Sequence, residues 1–231
     1  MNLKAILFDL DGTLLDTLGD IAGCANYALA SFGFGEHPVD AYRRFVGSGV
    51  DRLIERAVRP GPLTPETASR VKKLYLDRYA ELTRGVARPY DGVPDLLSKL
   101  RQFPLKLAVV SNKPDDQTRR SVSLHFADDA FDAVVGAREG TPLKPDPTVV
   151  RNVLGDLAVA HGEALYVGDT GVDMAAAKNA GCASVGVTWG FRPDEIREAN
   201  ADYIIGSPAE LLEIAGSLGP GVLDKASEAR K

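Results

Sequence analysis

Cysteine is nearly absent from this chain of 231 residues. Cys24 and Cys182 are the only two, they lie far apart, and neither fits a metal-ligand spacing, which excludes a disulfide scaffold or a zinc ribbon. Both are expected to stay reduced, and Cys24, at helical spacing with Ile21, Ala25, Ala28 and Leu29, reads as core packing. Histidine is scarce too. None of His37, His125 and His161 falls at the carboxyl end of an expected strand, which argues against a serine–histidine hydrolase. No uncharged apolar run reaches the eighteen or so residues needed to cross a bilayer. The segment from Met1 to Asp9 is too short and too soon acidic for a signal peptide, so a cytoplasmic protein is expected. There is no block of five basic residues, and a formal net charge of -5 argues against nucleic acid or an anionic membrane as a partner.

Hydrophobic residues make up 45% of the chain and charged residues 26%, which is globular composition and excludes a disordered or fibrous protein. Apolar runs bounded by turn residues occur at Ala5 to Phe8, Leu105 to Val110, Ala133 to Val135, Ala164 to Val167 and Ala183 to Val187. Runs apolar on both faces belong to buried strands. Amphipathic stretches at Val93 to Arg101, Pro114 to His125, Pro147 to Leu157 and Val172 to Ala180 alternate with them, as in a parallel sheet. The first two strands are about ninety-five residues apart, against the thirty or so of one crossover, so something is inserted between them. Leu18 to Phe34, Val39 to Phe45, Val50 to Val58 and Pro65 to Leu82 all carry helical periodicity. The expected fold is therefore α/β, a doubly wound parallel sheet with a Rossmann-like core at residues 1–15 and 89–231 and an inserted helical cap domain at 16–88. Gly219, Pro220 and Gly221 are expected to end the last helix, and the charged tail to Lys231 to fray.

Strand one runs into Asp9-Leu10-Asp11-Gly12-Thr13. Two carboxylates at a strand end, two residues apart, point the same way and repel unless a cation lies between them or one holds a proton. A hard divalent ion such as magnesium suits oxygen ligands of this kind. A second acidic pair, Asp169 and Asp173, follows the strand at Ala164 to Val167 and comes to one side if a helix starts at Thr170. Ser111 and Asn112 follow another strand, and Lys144 is held by a chain stiffened by Pro145 and Pro147. In an open parallel sheet all these carboxyl ends share one rim, where ligands bind. Carboxylates, a hydroxyl and a lysine converging there suit phosphoryl transfer, in which cations offset charge on the equatorial oxygens.

Asp9-x-Asp11-Gly-Thr, Ser111, Lys144-Pro145 and Gly168-Asp169-x-x-x-Asp173 together resemble the four ordered motifs of the haloacid dehalogenase-like hydrolases. Val46-Gly47-Ser48-Gly49-Val50, Ser111-Asn112-Lys113-Pro114 and Lys144-Pro145-Asp146-Pro147 look most like the phosphoglycolate phosphatase branch, although pyrophosphatases and sugar-phosphate enzymes share much of this. The resemblance implies a magnesium-dependent phosphomonoester phosphatase with Asp9 as nucleophile and Asp11 as general acid and base. It implies Ser111 and Lys144 around the transferring phosphoryl group, and Asp9, Asp11 (through its backbone carbonyl), Asp169 and Asp173 around Mg2+. Thr13, Asn112, Gly47, Ser48 and Gly49 are the substrate-binding candidates, with the Gly47 to Gly49 loop facing the rim when the cap closes. A small phosphorylated metabolite is the expected partner, and the chain a monomer or homodimer. A dehalogenase of the same superfamily needs neither Asp11 nor a metal. A phospho-accepting receiver is about half this length and places its aspartate on a later strand.

Overall fold

The computed structural model describes residues 1–58, 63–82 and 85–219. The expected end of the last helix at Pro220 and Gly221, and the tail to Lys231, lie outside the described residues. The first strand, β1, is Ala5–Phe8, and a two-residue strand, β2, Leu15–Asp16, leads into the helices α1 (Leu18–Ser31), α2 (Tyr42–Phe45), α3 (Val50–Val58) and α4 (Pro65–Glu81). The chain returns through β3 (Arg88–Pro89) and alternates through α5 (Val93–Leu100), β4 (Lys106–Pro114), α6 (Asp115–His125), β5 (Ala133–Ala137) and α7 (Thr148–Asp156). It finishes with β6 (Ala164–Gly168), α8 (Gly171–Ala180), β7 (Ala183–Val187), α9 (Pro193–Glu198), β8 (Tyr203–Ile205) and α10 (Pro208–Leu218).

Six of the strands form one parallel sheet in the order β5-β4-β1-β6-β7-β8, the doubly wound arrangement that the alternating pattern predicts. Strand periodicity divides the core between its two faces. Ile6, Phe8, Leu107, Val109, Leu165 and Val167 pack with α5 and α10 on one face, while Ala5, Leu7, Ala108, Val110, Ala164 and Tyr166 pack with α7 and α8 on the other. A separate apolar cluster gathers residues of α1 to α4, Ile21, Leu29, Tyr42, Leu53, Ile54 and Tyr75 among them, and takes Phe191 from the loop after β7. Where the chain leaves the sheet for these helices and comes back, Leu15 pairs with Pro89 and Asp16 with Arg88 as a short antiparallel ribbon. Among the described residues no helix is long and apolar enough to cross a membrane.

The structure departs from expectation in four places. Strand β4 runs to Pro114 rather than stopping at Val110, with a register shift against β5 after Val110. Residues 111–113 are therefore carried past the rim as extended chain. Helix α1 stops at Ser31 because the chain turns through Gly33 at φ +75°. The stretch from Val39 to Phe45 is a 3-10 turn followed by one short helix, entered from Pro38. Strand β8 and helix α9 were not expected, since three residues and six residues are too short to show a period.

Asp132 fastens the start of β4. It accepts hydrogen bonds from Arg101 at 2.7 Å, Lys106 at 3.0 Å and the Leu107 amide at 2.9 Å. Partial burial pushes its carboxyl up, but these donors outweigh burial and hold it below the usual range. A depressed carboxyl adds stability above its unfolded pKa of about 4, and that stability is lost as pH falls below it. Asp132→Asn is expected to lower unfolding free energy at pH 7 by about 1–2 kcal/mol. The gap to wild type should close in urea melts as pH is taken below about 4.

Candidate active site

Asp9 follows β1 directly, with its amide bonded to the Val167 carbonyl at 2.9 Å, and the chain then turns at once. The Leu10 carbonyl accepts from the amides of Thr13, Leu14 and Leu15. Gly12 sits in this turn at φ +89°, where a side chain would be strained and would overlap the Asp169 carboxylate. Glycine thus lets the first acidic motif pass against the second. Thr13 belongs to the same contact, since its hydroxyl lies 3.4 Å from Asp169 Oδ1. It supports that carboxylate and is not among the residues that line the pocket.

Lys144 is 3% exposed. Its ammonium donates to the Val110 carbonyl at 3.0 Å, to the Tyr166 hydroxyl at 2.8 Å and to Asp173 Oδ1 at 2.8 Å. All three N–H groups are thereby used. Asp9 Oδ1 lies 2.9 Å from the same nitrogen, off the axis of a hydrogen bond, and this buried oxygen accepts none. Burial alone would discharge Lys144, but Asp173 and Asp9 reverse this and hold its pKa well above the ordinary value. It is a fixed positive charge at Asp9.

Asp9, Asp169 and Asp173 bring carboxylate oxygens within 4.8 Å of one another. Asp173 Oδ2 caps α8 by accepting from the Thr170 amide at 3.1 Å and hydroxyl at 2.7 Å, so both of its oxygens are engaged. Asp169 Oδ2 accepts from the Phe191 amide at 2.7 Å. Burial pushes Asp9 up to about 7 against the pull of Lys144, and pushes Asp169 well above the carboxylate range with help from Asp173 and Asp9. Buried anions of this kind, one oxygen without a donor, fit a hard divalent cation at Asp9 and Asp169, with Asp173 orienting Lys144 behind them. The Asp11 carboxylate stands outside this cluster. It accepts from Thr17 Oγ1 at 2.8 Å and from Lys113 Nζ at 3.0 Å, which turns it away from the three other carboxylates.

The last residues of β4 follow the two-residue alternation of a strand. Ser111 and Lys113 line the pocket above Asp9 and Asp11. Ser111 Oγ lies 3.3 Å from the Lys113 amide, which it accepts, leaving its proton free to donate. The Asn112 side chain accepts from the Lys144 amide at 2.9 Å and donates at 3.0 Å to the carbonyls of Lys144 and Gly47. It therefore ties the lysine loop to the loop before α3. In that loop Gly47 and Gly49 line the pocket, but Ser48 accepts from Arg56 at 3.2 Å and is not among the lining residues. Gly49, at φ +83°, lies where a Cβ would come 2.7 Å from Leu143 Cδ1.

Three features escaped the sequence reading. Lys113, 7% exposed, reaches Asp11 and also the Tyr79 hydroxyl of α4 at 2.6 Å. Tyr75, one helical turn before Tyr79, lines the same pocket. Arg192 bonds the Val46 carbonyl and Arg43 the Gly190 carbonyl at 3.2 Å, so both sides of the cleft contribute cations to its seam. The tyrosines four apart in a helical stretch were a usable signal for one face, but nothing local says what that face meets.

A family model described as haloacid dehalogenase-like hydrolase matches residues 6–187. The chain is 34% identical over 219 residues to the phosphoglycolate phosphatase of Vibrio parahaemolyticus, covering 92% of this chain and 96% of that one. It is 34% identical over 218 residues to that of Haemophilus influenzae, covering 91% and 97%. Among solved structures, a predicted phosphoglycolate phosphatase from Haemophilus somnus aligns with TM-score 0.85 at 29% identity over 93% of this chain and 99% of its own. CbbY from Rhodobacter sphaeroides, in complex with phosphate, aligns with TM-score 0.78 at 26% identity over 90% and 96%.

The strain at Asp9 has a sign that is testable. A carboxyl raised to about 7 in the fold disfavours its own ionisation, so the native state loses stability as pH rises from about 4 towards 7. In excess chelator, Asp9→Asn is expected to melt several degrees above wild type at pH 8, the gap narrowing as pH is lowered to 5. Divalent cation added to wild type at pH 8 should recover the difference, read by thermal melts.

Proposed function

The chain belongs to the haloacid dehalogenase-like hydrolases, and from that premise we propose that it hydrolyses small phosphomonoesters, 2-phosphoglycolate first among them, through a phosphoryl group carried on Asp9. The observation that supports this most is the pairing of Asp9, whose Oδ1 accepts no hydrogen bond, with a Lys144 ammonium held 2.9 Å away by three other partners. A carboxylate oxygen kept free of donors beside a fixed charge suits attack on phosphorus. The similarity to phosphoglycolate phosphatases over more than nine-tenths of the chain supports the substrate.

In this reading an Asp9 oxygen forms a bond to phosphorus in line with the departing ester oxygen, and the phosphorus–oxygen bond to the leaving group breaks. Asp11 gives its proton to that oxygen, then takes one from the water that attacks the aspartyl-phosphate and frees Asp9 again. The Ser111 hydroxyl donates to a transferring oxygen. Lys144 acts by charge and position, since its protons are committed elsewhere. Asp9 and Asp169, with the Asp11 carbonyl, would hold Mg2+, which supplies positive charge against the phosphoryl oxygens when bound. Residues 16–88 would act as a cap whose Gly47 to Gly49 loop excludes water. The cavity walls favour a short leaving group. Ile21, Leu53 and Phe191 line it together with Asp9.

Kinetics on a panel of phosphorylated metabolites with magnesium present test the proposal. The highest kcat/KM is expected on 2-phosphoglycolate, ahead of pyrophosphate and sugar phosphates. Asp9→Asn should lower turnover by several orders of magnitude with the fold intact, because an amide oxygen is a poor nucleophile. Turnover within tenfold of wild type would remove Asp9 from the mechanism.

A further inference from the structure

Tyr75 has no task in the mechanism above. It is 3% exposed, on α4, with its ring against that of Tyr79 at 5.9 Å between centroids. Buried tyrosine hydroxyls ordinarily find a partner. Those of Tyr42, Tyr79 and Tyr166 do, with Asn26, Lys113 and Val110. The Tyr75 hydroxyl makes no hydrogen bond to any described residue, nor is it sealed among the buried oxygens that lack one. The open space that Tyr75 borders is the pocket containing Asp9 and Asp11. Burial raises its pKa well above the ordinary tyrosine value, so it stays a proton donor.

Lys113 is the one lysine or arginine among the described residues lining that pocket. Its ammonium is engaged by both oxygens of Asp11, at 3.0 and 3.4 Å, and by the Tyr79 hydroxyl at 2.6 Å. The Tyr75 hydroxyl is thus an uncommitted donor bordering a cavity lined by apolar Ile21, Leu53 and Phe191 as well as by Asp9, Asp11 and Ser111. A free hydroxyl donor matches a carboxylate oxygen. A second phosphate would ask for more charge than this wall offers.

We infer that the Tyr75 hydroxyl donates to the carboxylate at the far end of the leaving group and so sets the preference for a short carboxylate-bearing phosphomonoester. This rests on the phosphatase reading and names how the same site recognises its substrate. Tyr75 is a specificity residue and takes no part in bond making.

The test compares 2-phosphoglycolate with acetyl phosphate, which is similarly short but has no charge at its far end, in wild type and Tyr75→Phe. The ratio of kcat/KM for the two substrates should fall at least tenfold in the variant, chiefly through KM for 2-phosphoglycolate, with acetyl phosphate changed less than twofold. Removing a hydroxyl that bonds nothing should leave the melting temperature equal or higher, whereas a structural hydroxyl would lower it. Equal losses on both substrates, or an unchanged ratio, would overturn the inference and leave the phosphatase reading standing. A wild type that turns over acetyl phosphate but shows no preference for the carboxylate would overturn both this inference and the choice of 2-phosphoglycolate. A wild type inactive on both would overturn the phosphatase reading itself.

Discussion

One buried ammonium organises the catalytic end of this molecule. Lys144 draws together the Val110 carbonyl of β4, the Tyr166 hydroxyl from β6, and Asp173 at the start of α8, and it stands 2.9 Å from Asp9 after β1. Three neighbouring strands and a helix meet at a single charge. Deleting Asp173, the carboxylate hydrogen-bonded to this ammonium, removes one member of a buried ion pair, a loss that costs about 3–5 kcal/mol. Asp173 is fixed at both ends, by Lys144 on one oxygen and by the cap of α8 on the other. Helix start, lysine and Asp9 are thus set by one network, and its geometry follows from fold stability.

Parts of this were legible in the residue pattern, and the reason differs from part to part. Ala5–Phe8 is all apolar and runs straight into Asp9, so both the strand and the residue at its end could be read locally. Lys144, Asp169 and Asp173 became legible through topology, because parallel strands deliver their carboxyl ends to one rim. The turning away of Asp11 could not be read. It depends on Lys113, whose second partner, Tyr79, comes from the inserted helices. Tyr75 was equally silent, since its significance is the partner it lacks. Thr13 and Ser48 show the converse. Each sits in a motif next to functional residues, and each is spent on a neighbour, Asp169 and Arg56.

The seam between the sheet and the inserted helices is made mainly of side chains from one side grasping backbone carbonyls of the other. Asn112 takes the Gly47 carbonyl, Arg192 that of Val46, and Arg43 that of Gly190, while Arg120 holds the carbonyls of Ala80 and Leu82. Such contacts constrain the path of the partner chain while asking little of its side chains. The side chains facing the pocket from the inserted helices are left to differ in chemistry, as Ile21, Leu53 and Tyr75 do. Side chains of the sheet rim and of the inserted helices thus share one cavity.

The ribbon of Leu15–Asp16 against Arg88–Pro89 bears on how such a chain assembles and diverges. The helices from Leu18 to Glu81 begin and end at paired positions, so the sheet sees the whole excursion as one closed loop. Closing a loop costs entropy that grows only with the logarithm of its length. A long insertion is then hardly dearer to the sheet than a short one, and helices with their own apolar cluster gather most of their stability locally. Lengthening, shortening or exchanging that excursion need not change the order of the strands. Modularity of this kind comes from two adjacent pairs of residues, without any linker.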